Sequence, residues 1–106
     1  MYMAIDKNSS DVVTLTEAQS YTHNFQTENP DETKAFFAGL NKLNLILEQK
    51  GCIGIRIYNG QKPNSTTKNL VLVGVNEAGE DMELGPLLEH LIPCPPTCAT
   101  ASSLLI

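Results

Sequence analysis

Basic residues are scarce in this chain. It has one arginine, Arg56, and six lysines against twelve acids, a formal net charge of -5 over 106 residues. Neutralising a phosphate backbone takes clustered Lys and Arg. Their scatter therefore argues against nucleic-acid binding, and the same deficit argues against adhesion to an anionic membrane. Long apolar runs are also missing, since no stretch approaches the roughly 20 residues that span a bilayer. The first residues, Met1-Tyr2-Met3-Ala4-Ile5-Asp6-Lys7, lack the basic start and apolar run of a secretory signal. The expected compartment is the cytoplasm, with export by a signal-less route left open.

Catalytic signatures are equally sparse. There is no phosphate-cradling glycine loop, no nucleophile elbow and no His-Glu-x-x-His. The acids Glu77, Glu80, Asp81, Glu83 and Glu89 fall in one stretch without the order of an EF-hand loop, so they read as a solvated edge. Cys52, Cys94 and Cys98 make an odd count, which is not a disulfide framework.

What is present is the pattern of one α+β domain spanning 1–106, long enough to bury a core. Residues 1–13 read as a loose lead-in, with Val12 and Val13 as a short strand or an anchor. Thr14 and Glu17 stand in capping-box spacing. They open a helix that runs to about Glu28, with Leu15, Ala18, Thr22 and Phe25 on one stripe. Asn29-Pro30-Asp31-Glu32 resembles a second helix start, with Phe36, Leu40, Leu43 and Leu47 following at helical spacing and Gly51 as the stop. Cys52–Tyr58 alternates as a half-buried strand, and Leu70–Val75 is apolar throughout, as a central strand would be. Asn76-Glu77-Ala78-Gly79 is a tight turn. Glu80–Leu84 is expected to return as a short edge strand, and Leu87–Leu91 to form a short helix. The Pro/Cys segment should be irregular, and Ala99–Ile106 should either dock in an apolar groove or lie disordered. The expected architecture is two N-terminal helices on a small antiparallel meander of two or three strands, then a short C-terminal helix and an irregular tail.

Three groups of residues could carry function. Arg56 and Tyr58 share a strand face, and Gly54 and Gly74 interrupt two strands. If those glycines pair, they leave a shallow ligand-binding patch beside the arginine fork. Arg56 could instead neutralise an acid on a neighbouring strand. The second group is His90, Cys94 and Cys98, which with His23 offers a zinc ligand set. A single Cys-x₃-Cys lacks the usual zinc spacing, and a Cys94–Cys98 disulfide is the other use of the pair. Cys52, His23 and Asn24 supply the residue types of a cysteine hydrolase, but Cys52 opens a strand rather than a helix, which disfavours that chemistry.

His23-Asn24-Phe25-Gln26, Gly54-Ile55-Arg56-Ile57-Tyr58, Leu70-Val71-Leu72-Val73-Gly74-Val75 and Pro93-Cys94-Pro95-Pro96-Thr97-Cys98 resemble segments of a group of small bacterial proteins with no established activity. The resemblance implies a bacterial origin and an independent small domain, and it transfers no catalytic residue. Together these readings describe a non-enzymatic binding or accessory module that meets a protein partner or a second copy of itself. Its expected surfaces are the Arg56/Tyr58 face and the apolar tail, and no cofactor is expected. The alternative is a small zinc- or thiol-dependent protein built on His90, Cys94 and Cys98.

Overall fold

The computed structural model describes residues 4–106, so Met1 to Met3 of the expected lead-in lie outside the described residues. The class is α+β. The elements run α1 (Leu15–Glu28), β1 (Ala35–Phe37), α2 (Leu40–Leu47), β2 (Cys52–Gln61), β3 (Lys68–Asn76), β4 (Leu87–Leu88) and β5 (Ile92–Cys94). They fall into two compact units. Unit 1 comprises Ala38–Leu91 with the residues up to Ser9, and unit 2 comprises Ser10–Phe37 with Ile92–Ile106.

Unit 1 is a three-stranded antiparallel sheet of order β2-β3-β4 with α2. Its pairing is long: Arg56 faces Val73, Tyr58 faces Val71, and the ladder continues to Gln61 opposite Lys68. A bulge between Cys52 and Gly54 sets the start of β2. The continuous apolar run of β3 is explained by its central place, and Leu72 to Val75 are all buried. Helix α2 places Ile46, which has no exposed surface, over this sheet. Gly74 makes room for it, because a Cβ there would meet Ile46 Cγ2 at 3.2 Å, Cys52 Sγ at 3.3 Å and Gln49 Nε2 at 2.8 Å. The Asn76–Gly79 turn forms as its residues require. Asn76 Oδ1 accepts from the Ala78 and Glu80 amides, and Gly79 takes φ +83°, a conformation that side chains disfavour.

Unit 2 joins α1 to a two-stranded sheet, β1 against β5, with Ala35 opposite Cys94 and Phe37 opposite Ile92. The Thr14 hydroxyl accepts from the Glu17 amide and caps α1 as its spacing predicts. Cys94 and Cys98 are bridged.

Five expectations about the architecture are corrected. The two helices do not sit together on one meander, because α1 belongs to unit 2 and only α2 to the unit that holds the meander. Residues 30–39 are not helical: Asn29 closes α1 instead of opening a helix. Its amide and its Nδ2 both donate to the Phe25 carbonyl, at 2.8 and 3.0 Å. The chain then runs out into β1, where Phe36 and Phe37 suit a strand. Leu87–Leu91 is not a helix. Leu87 and Leu88 pair with Val73 and Leu72 as the third strand, and His90 takes φ 60°. Glu80–Leu84 contributes only the single bridge Val75–Asp81. The Pro/Cys tail is not wholly irregular, since Ile92–Cys94 is β5. Val12 and Val13 join no strand.

Candidate functional site

In unit 1 the candidate residues converge on an acid. Directly opposed residues of antiparallel strands share a face, so Gly54, Arg56 and Tyr58 lie on one face with Val75, Val73 and Val71. Arg56 Nη1 donates to Asp81 Oδ1 at 2.5 Å, and Nη1 and Nη2 both reach the Gly79 carbonyl at 3.3 Å. The Tyr58 hydroxyl donates to the other Asp81 oxygen. The arginine fork thus holds the turn that follows β3. Gly74 pairs with Ile55 on the opposite face, under α2. The two glycines do not face each other, and the expected four-residue patch is split between the two sides of the sheet.

The electrostatics follow from this geometry. The Tyr58 hydroxyl and the Arg56 guanidinium hold the Asp81 carboxyl below its ordinary range. Donation to Asp81 holds the Tyr58 phenol above its ordinary range, and the same carboxylate raises Arg56 further. A depressed carboxyl stabilises the fold above its unfolded pKa of about 4, and that stability is lost as pH falls through the folded value. A raised phenol stabilises below its unfolded pKa of about 10, and that stability is lost as pH rises through the folded value. The Arg56 and Asp81 side chains are 36% and 22% exposed, so solvent screens the pair. Asp81→Asn should therefore destabilise unit 1 at neutral pH, with the gap to wild type narrowing below about pH 4. Urea unfolding across that range checks this, and a gap that does not change with pH contradicts it.

The acids expected to be solvated include a second organised group. Glu89 accepts from Asn69 Nδ2 at 2.9 Å and lies 3.4 Å from Lys62 Nζ. His90 Nε2 lies 2.7 Å from its other oxygen. Burial pushes the Glu89 carboxyl up, but the Asn69 amide and the charges of His90 and Lys62 outweigh this and leave it below its ordinary value. Cys52 points its thiol at the Gly54 carbonyl, 3.2 Å away.

In unit 2 the predicted metal ligands are otherwise engaged. The Cys94–Cys98 bridge leaves neither sulfur as a thiolate, and His23 Nε2 lies 2.8 Å from the Ser103 carbonyl. Among the described residues, no group of three or more His, Cys, Asp and Glu side chains is arranged to hold a metal ion. Nor is any described helix long and apolar enough to cross a membrane. The expected apolar stripe of α1 is displaced: Leu15 and Phe25 are 60% and 44% exposed, while Gln26 is buried. The buried side is polar because it meets main chain. Thr22 Oγ1 and Gln26 Nε2 both donate to the Leu104 carbonyl at 2.9 Å, and Gln26 Oε1 accepts from the Ile106 amide at 3.0 Å. The 102–106 segment thus docks, though on polar groups rather than in the apolar groove expected as one alternative.

Compared with family models, curated proteins and solved structures, the chain matches none.

Proposed function

We propose that this chain is a non-enzymatic binding module that associates through the free edge of β2, and that the strand it receives there is the β2 of a second copy. The observation that carries this reading is the edge itself. β2 is ten residues long and pairs only with β3 among the described residues. Exposed edge strands are ordinarily blunted by Lys, Pro or a bulge. Ile55–Gln61 has no lysine or proline, and the bulge lies before it. Ile57 and Tyr58 are 60% and 45% exposed.

Charge pattern favours a second copy as occupant. The net charge of -5 repels like molecules generally, whereas this strand carries one charge, Arg56, already matched by Asp81. Antiparallel pairing of two copies about Ile57 sets Ile57 against itself, Arg56 against the other copy's Tyr58, and Ile55 against its Asn59. No like charges meet. Pairing about Arg56 would oppose two guanidinium groups. The contact is isologous and closes at a dimer.

Light scattering on the eluting protein is the test. Wild type should run as a dimer at sub-millimolar concentration. Ile57→Lys places two ammonium groups face to face and should weaken the dimer at least about tenfold, with little effect on thermal stability because the side chain is exposed. A wild-type monomer throughout that range, or an undiminished dimer in Ile57→Lys, defeats the proposal.

A further inference from the structure

The contacts between α1 and the 102–106 segment have an unusual character. Every hydrogen bond joins an α1 side chain to a main-chain atom. Thr22 and Gln26 take the Leu104 carbonyl, His23 takes the Ser103 carbonyl, and Gln26 turns its other amide atom to the Ile106 N–H. The object they hold is a serine-led turn. Ser102 accepts from the Leu105 amide through its carbonyl at 3.3 Å and from the Leu104 amide through its hydroxyl at 3.2 Å. Such a turn leaves its two central carbonyls unpaired, and these are the groups that α1 reads. Gln26 is only 6% exposed, and it would be costly to bury without partners.

A seat that reads main chain selects the shape of a turn, here one that a leading serine helps to hold, rather than an apolar side chain. The occupant's own side chains are only partly covered: Leu105 is half-buried, and Leu104 and Ile106 are 38% and 71% exposed. Its tether is weakly held: within 95–101 the one main-chain hydrogen bond among the described residues runs from the Thr97 amide to the Pro93 carbonyl, beside the bridge to Cys98. The seat also has a margin that its occupant does not cover. Tyr21 and Phe25, one helical turn apart and adjacent in sequence to Thr22 and Gln26, are 62% and 44% exposed. An incoming chain could cover this aromatic pair as well as the polar groups, and so compete with a tethered turn.

We propose that Thr22, His23 and Gln26 form a turn-binding clamp, kept closed by the chain's own 102–106 segment, that accepts an uncharged, serine-led turn of a partner protein when that segment leaves. This lies in unit 2 and does not depend on strand pairing at β2. Internal occupancy acts as a competitor at high effective concentration. The apparent affinity for an external turn is lowered by the fraction of molecules whose clamp is open.

The probe is a fluorescent peptide with the sequence of residues 99–106, titrated against the full-length chain by polarisation. Ile106→Pro removes the N–H that Gln26 accepts and loosens the internal turn. It should bind the peptide at least about tenfold more tightly than wild type, and adding Gln26→Ala should abolish that binding. In wild type, excess unlabelled peptide should speed hydrogen exchange at the Ile106 amide. The exchange measurement decides the matter if the double variant does not fold. No binding to Ile106→Pro, binding that survives loss of Gln26, or an Ile106 amide indifferent to peptide each overturns the proposal. A wild-type dimer that Gln26→Ala dissolves also overturns it, by making a second copy's own segment the occupant.

Discussion

Ile46→Ala should destabilise unit 1 by about 2–5 kcal/mol, the range for emptying a well-packed aliphatic site. Ile46 has no exposed surface and lies against Gly74, a position that has no side chain with which to fill a void. Around the Gly74 position the other near atoms are the ends of Gln49 and Cys52, which offer little apolar bulk to refill the space. A domain has only about 5–15 kcal/mol in total, and at roughly 4–8 °C per kcal/mol the melting temperature should drop by at least about 8 °C. Leu47→Ala, one residue on and 49% exposed, is the control and should cost far less. Equal losses for the two variants would mean that α2 does not seat on the sheet through Ile46.

Removing the Cys94–Cys98 bridge should cost unit 2 about 2 kcal/mol, the loop-entropy value for so short a closure. The effect should be local. Cys94 is 5% exposed, stands opposite Ala35 in the β1–β5 ladder, and accepts from the Lys34 amide at 2.7 Å. Unit 2 is small, and units of that size lean on such staples. Under a dithiol reductant, hydrogen exchange should quicken first at β1 and β5, while Leu72 to Val75 stay protected in unit 1. Denatured protein should titrate one thiol, Cys52, before reduction and three afterwards. Three thiols in the unreduced protein, or loss of protection in β3 together with β1, runs against this account.

Features set by neighbouring residues were legible in the sequence. The Thr14–Glu17 cap, the apolar β3 and the turn ending at Gly79 each depend on a few adjacent positions, and each formed. The expected alternation of Ile53, Ile55 and Ile57 on one buried face did not hold throughout: the bulge between Cys52 and Gly54 takes Ile53 out of the register, and Ile57 is 60% exposed. Features set by distant partners were not legible. Asn29-Pro30-Asp31-Glu32 satisfies every local rule for a helix start, yet Asn29 serves the helix behind it and Ala35–Phe37 pairs with residues more than fifty positions away. Leu87-Leu88 is too short to carry a period, and its strand character comes from Val73 and Leu72. The site shows the same division. Arg56 and Tyr58 were visible as a pair, and an acid on a neighbouring strand was one reading of Arg56. That the acid is Asp81 follows from a fold-back beyond the Asn76–Gly79 turn. Gln26 gave no signal at all, since a glutamine on a helix ordinarily faces water. Its burial depends on a turn about eighty residues further along the chain.

The β1–β5 ladder also makes the 38–91 part of unit 1 an insertion. Phe37 and Ile92 are register partners, so the chain leaves unit 2 and re-enters it at positions about 5 Å apart. Everything from residue 38 to residue 91 is spliced into what would otherwise be a hairpin. During synthesis, α1 and β1 must wait for β5 until that whole segment has emerged. The same adjacency makes the junction a natural graft point, where a two-residue turn could replace residues 38–91 without moving either strand end.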